Sequence, residues 1–268
     1  MMPFVNFVRV TCAGTLALTL TARAAEAPPQ RIDVGQLSRQ VEDVVVPLPN
    51  EVFGALNKLG PVNWKEYVRN DKGGTFKERP RIALVMGTVI ADGFIAVQAE
   101  DAPAVKDIGN RVLGLARGIG VAQSITPHAK AITEAADKKN WGNVRRELDR
   151  TQNSVQEAMN KMDDKKLSYL VSLGGWLRGT EVLTSVVTKQ FTPDGAELLN
   201  QPQLVTYFQE RLAGMPEFNS KLLEDIQSAL VEVRPLIEVG GAPITADSVK
   251  RINEITTRLD QAIVTKGQ

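Results

Sequence analysis

The side chains best placed to do chemistry are three charged residues standing where apolar ones are expected. Asp92 lies in the middle of the apolar segment 82–99, and Arg178 and Glu181 lie inside the apolar segment 167–188. A carboxylate in such a setting must find a cation or hydrogen-bond donors, or else keep its proton. A guanidinium offers a planar fork that suits a carboxylate or a phosphate. Gly174, Gly175 and Gly179 crowd the same helix beside Arg178. Each costs roughly 0.5–1 kcal/mol relative to alanine inside a helix. Losing the β-carbon must therefore serve a purpose, either the close approach of another helix or room for a ligand beside Arg178, with Trp176 as an apolar wall. The candidate ligand-binding set is Asp92, Arg178, Glu181, Trp176, Gly174 and Gly175. Two other readings fit the same residues. One is a salt-bridge network that only pins two core helices. The other is a metal-free hydrolase or lyase in which Asp92 and Glu181 do acid–base work.

Composition narrows the remaining chemistry. One histidine and one cysteine in 268 residues exclude a Cys/His zinc site built within the chain, and Cys12 cannot close a disulfide with itself. His128 follows Thr126-Pro127 and has no nucleophile motif around it. It reads as a solvent-facing or satisfied side chain at a helix start; as a haem ligand, with Met86, Met159 or Met162 opposite, it would lack the Cys-x-x-Cys-His attachment. The chain has no Gly-x-Ser-x-Gly, no Gly-x-x-x-x-Gly-Lys-Ser/Thr and no His-Glu-x-x-His. No cofactor and no metal are expected, and a binding or interaction protein is favoured over an enzyme. Its partner, a small molecule or another protein, is not specified by the residues. Lys and Arg number 32 against 31 Asp and Glu, and the doublets Lys138-Lys139 and Arg145-Arg146 are interleaved with acids. Nucleic-acid binding needs a basic excess on one face, so it is not expected.

The elements that must position these residues read as helices. Residues 1–24 have the form of an export signal: Arg9, an apolar run, and Ala22-Arg23-Ala24 before a cut at Ala25. The expected location is the periplasm of a Gram-negative host, or the exterior of another cell. Residues 25–48 should be an extended or disordered segment with one short helix. Residues 49–239 should form a helical bundle, and 240–268 a linker and an amphipathic helix that packs on it. The stripes Val105, Ile108, Val112, Leu115, Ile119 and Val249, Ile252, Thr256, Leu259, Ile263 follow helical spacing. Short turns between neighbouring helices predict antiparallel helical hairpins. The fold class is therefore all-α, a multi-helix bundle with two apolar, glycine-interrupted central helices at 82–99 and 167–188. The first approaches the length of a membrane span, but Asp92 at its centre fits a core helix better, and no transmembrane span is expected in the mature chain. Residues 69–80, with Asp71-Lys72-Gly73-Gly74, read as a surface loop.

Overall fold

A computed structural model describes residues 49–69, 74–162, 164–218 and 220–265. The expected signal at 1–24 and the segment 25–48 with its short helix lie outside the described residues. Among the described residues there are ten α-helices, two 3-10 turns and no strand. The order is α1 (Pro49–Lys58), a 3-10 turn (Trp64–Tyr67), α2 (Arg79–Gln98), α3 (Ala102–Ile119), α4 (Ala122–Asp137), α5 (Trp141–Met162) and α6 (Lys165–Lys189). Then follow α7 (Pro193–Glu197), α8 (Pro202–Ala213), a second 3-10 turn (Pro216–Phe218), α9 (Lys221–Ile237) and α10 (Ala246–Val264).

Short polar side chains begin several of these helices. Asp101, Thr192, Ser220 and Thr245 each accept a hydrogen bond from the backbone N–H three residues on, at 3.0, 3.0, 3.3 and 3.1 Å. Such caps satisfy donors that have no partner within the helix. Gly120 ends α3 in the left-handed region at φ 89°. Thr126-Pro127 and Pro216 read from the sequence as helix starts, and the structure differs at both. Helix α4 begins at Ala122, so Pro127 lies inside it and removes one backbone donor. Thr126 Oγ1 donates to the Ala122 carbonyl in that turn, at 2.8 Å. The helix expected to open at Pro216 is divided into a 3-10 turn and a separately capped α9.

The centre of the bundle is the packing of α2 on α6. Both helices run unbroken through their glycines. Helix α2 is apolar around most of its circumference, so it has to be covered on several sides. It packs against α6 and α3, while α10 covers α6 and α4 lies between α3 and α5. It is long and apolar enough to cross a membrane, and 67 % of its most apolar window is buried inside the protein. At the crossing, a β-carbon on Gly87 would overlap the backbone carbonyl of Val171, and one on Gly174 would overlap the carbonyl of Leu84. Gly179, by contrast, faces nothing within 4 Å. Backbone-to-backbone contact at Gly87 and Gly174 explains where glycine is needed.

A smaller apolar cluster lies beside this centre. Trp64 of the first 3-10 turn packs with Ile95 of α2 and with Val182 and Val186 of α6. Burying a side chain of that size contributes on the order of 2–3 kcal/mol. It also fixes the 3-10 turn against the two central helices, with Tyr67 and Arg69 following immediately.

Candidate functional site

Asp92 is fully buried on α2, and Arg178 reaches it from α6. The Arg178 Nε donates to Asp92 Oδ1 at 2.7 Å, and Nη2 donates to the Tyr67 carbonyl at 2.7 Å. Its remaining nitrogen, Nη1, donates to Glu181 Oε2 one turn along α6. Glu181 Oε1 in turn accepts from Ser185 Oγ at 3.1 Å. The carboxylate and the guanidinium singled out from the sequence, 86 residues apart, are therefore direct partners.

Two further members complete the cluster. Arg69, just after the 3-10 turn, donates to Asp92 Oδ2 through Nε at 3.0 Å and Nη2 at 2.7 Å. Its Nη1 donates to Asp260 Oδ2 on α10. Asp92 thus stands between two guanidiniums, and four chain segments meet there. Asn253 strengthens the α10 side, since its Nδ2 lies within hydrogen-bond reach of the Glu181 carbonyl, Thr184 Oγ1 and Ser185 Oγ, at 3.1, 3.0 and 2.8 Å.

The electrostatics single out Asp260. Burial pushes its carboxyl up to about 6, against the opposing pull of the Arg69 and Arg178 charges, and the neighbouring Asp92 and Glu181 push in the same direction as burial. Its Oδ2 faces Arg69, while Oδ1 is buried with no hydrogen-bond partner.

The sequence-derived set is thereby divided. Asp92, Arg178 and Glu181 come together. Gly174 and Gly175 lie on the α2 side, where Gly174 meets Leu84 and a β-carbon on Gly175 would sit 3.5 Å from the Gly87 carbonyl oxygen. Trp176 packs on Phe208 of α8, ring centroids 5.6 Å apart. Sequence reasoning missed Arg69 and Asp260. A signal existed for Asp260, because Thr256, Asp260 and Ile263 follow one another in steps of four and three along a buried stripe. Arg69 stands beside a glycine-rich stretch, where no periodicity points to it.

A second polar group forms between α4 and α5. His128 Nε2 lies 2.8 Å from Ser154 Oγ, and Nδ1 lies 3.5 Å from Glu147 Oε2. The residue types are those of an activated serine. Ser154, however, lies in the interior of α5, where backbone N–H groups are engaged in the helix and supply no oxyanion donors. The trio therefore joins two helices without completing a nucleophile site. Elsewhere, a depression of about 320 Å³ between α8 and α9 is lined by Gln203, Thr206, Tyr207, Glu210, Arg234 and Glu238.

No protein-family model, curated protein or solved structure matches this chain.

Proposed function

We propose that this protein is an exported, non-enzymatic helical interaction protein whose buried charges clamp its core. One observation carries this reading: all three nitrogens of the Arg178 guanidinium donate to acceptors within the protein. The side chain is only 6 % exposed, so its two remaining N–H groups present no open donor edge of the kind that recognition of a ligand or a transition state requires. Recognition then falls to the outer surface. The depression between α8 and α9, lined by both signs of charge, suits a polar partner.

Export is supported by the residue pattern at 1–24, and it implies the periplasm if the host is Gram-negative. Mass spectrometry of the protein recovered from its native compartment should find a mature chain beginning at Ala25. Recovery of the chain with Met1 intact from the cytosol would overturn the assignment.

A second reading keeps a ligand site at Asp92, Arg178 and Glu181, with Trp176, Gly174 and Gly175 behind it. It is favoured by the Glu181 side chain, which at 14 % exposure is more accessible than those of Asp92 and Asp260. An incoming carboxylate or phosphate could take its place on Arg178 Nη1. Thermal denaturation with acetate, succinate and inorganic phosphate separates the two readings. The clamp predicts no stabilisation beyond that of ionic strength. Saturable stabilisation that disappears in Arg178→Lys would establish the pocket.

A further inference from the structure

Two guanidiniums and three carboxylates meet in the buried cluster, namely Arg69, Arg178, Asp92, Glu181 and Asp260. With every group ionised, these five carry one surplus negative charge. A buried surplus charge is costly, and binding one proton removes it.

The hydrogen bonds show which carboxylate takes the proton. Asp92 accepts on both oxygens, Oδ1 from Arg178 Nε and Oδ2 from Arg69 Nη2, each at 2.7 Å. Glu181 also accepts on both, from Arg178 and from Ser185. Asp260 accepts on Oδ2 alone, and its buried Oδ1 has no partner. An ionised carboxylate with one unsatisfied buried oxygen is the least favourable member of the three.

We infer that Asp260 is a proton-binding site: the cluster takes up one proton at Asp260 in mildly acidic medium, becomes charge-neutral, and in that form holds α10 and the Arg69 segment most tightly to the central helices. The charges facing Asp260 come from each element packed around it. Arg69 approaches from the segment after the 3-10 turn, Asp92 from α2, and Arg178 and Glu181 from α6. On the α9 side, the ion pair to α10 joins Glu232 to Arg251, nine residues before Asp260 and exposed. The upward displacement of the Asp260 carboxyl agrees in direction with the charge count. The proton site stands whether or not the cluster also admits a ligand.

Carbon-13 NMR of the full chain labelled at aspartate carboxyls tests the inference directly. The expected result is one aspartate resonance, connected to the α10 backbone and absent from Asp260→Asn, that titrates near pH 6. If every aspartate titrates in the ordinary range near 4, the inference is overturned. Amide hydrogen exchange at pH 5 and pH 7.5, corrected for intrinsic rates, tests the mechanical half. Protection in α10 should fall about tenfold at the higher pH in the natural chain and less than about twofold in Asp260→Asn. An equal loss in both proteins would sink the coupling. If Asp260→Asn does not fold, the titration of the natural chain still decides.

Discussion

Arg69 and Asp260 lie 191 residues apart and are joined directly, Nη1 to Oδ2. Their contact links the segment before the first central helix to the last helix of the chain. Asp92 shares the same guanidinium, so the charged cluster ties together four chain segments, beside the polar contacts of Asn253 on α6 and of Arg81 on the Ala262 carbonyl of α10. Joining ends so distant in sequence carries a loop-closure cost, and the contact depends on the rest of the bundle already being in place.

Asp92→Ala should destabilise the protein by about 3–5 kcal/mol, because it leaves the buried Arg178 guanidinium and the half-buried Arg69 guanidinium without their shared acceptor. Arg178→Ala should cost a similar amount. The double variant should cost little more than either single one, as expected for a coupled pair. Denaturation midpoints in guanidinium chloride measure all three. Additive losses would show that the two side chains act independently.

The glycines separate sharply by position. Gly174→Ala forces a methyl into the Leu84 carbonyl and should destabilise by roughly 1–3 kcal/mol or more. Gly179→Ala, on the same helix and with nothing within 4 Å, should instead stabilise by about 0.5–1 kcal/mol through helix propensity. Melting temperatures of the two variants, moving in opposite directions, are the check.

Stability should fall as pH rises through the range where Asp260 ionises. Its folded-state pKa of about 6 lies above the ordinary aspartate value of 3.8. The contribution is therefore fully present below about pH 4 and is lost as pH rises through about 6. Two units of displacement correspond to about 3 kcal/mol as an upper scale. Unfolding free energies measured between pH 4.5 and 7.5 should decline in the natural chain and decline less in Asp260→Asn. Parallel curves would exclude Asp260 as the source.

Trp64→Ala should cost about 3–5 kcal/mol and do so locally first. The indole anchors the 3-10 turn that delivers the Tyr67 carbonyl and Arg69 to the cluster. Hydrogen exchange should show early loss of protection around Trp64–Tyr67, with α4 and α5 unaffected. A uniform loss across all helices would argue against a separate anchoring role.

The sequence exposed three of the five members of this cluster, Asp92, Arg178 and Glu181, and concealed Arg69 and Asp260 for physical reasons. Asp92 and Arg178 stand out because a charge in an all-apolar helix has nowhere to point but inward. Asp260 belongs to an amphipathic helix whose other charges, Asp247, Lys250, Arg251, Glu254 and Arg258, share the opposite face, so its place beside the buried stripe shows only when the rotation of the helix is followed residue by residue. Arg69 is invisible to periodicity because the sequence that follows it, Asn70-Asp71-Lys72-Gly73-Gly74, carries no helical pattern of apolar residues. The all-α class followed from helical spacing and caps, as at Asp101 and Thr245. Pro127 misled the boundary of α4, because a proline that suits a first turn also fits a turn farther in when a threonine hydroxyl binds the adjacent carbonyl. Which glycines mark the crossing depends on helix rotation, and that is fixed only when α2 and α6 are packed.

The contact of Gly87 and Gly174 with opposing carbonyls acts as an index mark between the two central helices. Asp92 lies five residues beyond one mark and Arg178 four beyond the other. A single-residue insertion between mark and charge would rotate that side chain by about 100° around its helix. The carboxylate would then face hydrocarbon, even though every amino acid of the cluster was still present. The spacing between small and charged residues thus acts as a unit in the fold, and substitution scans that leave length unchanged will not reveal it.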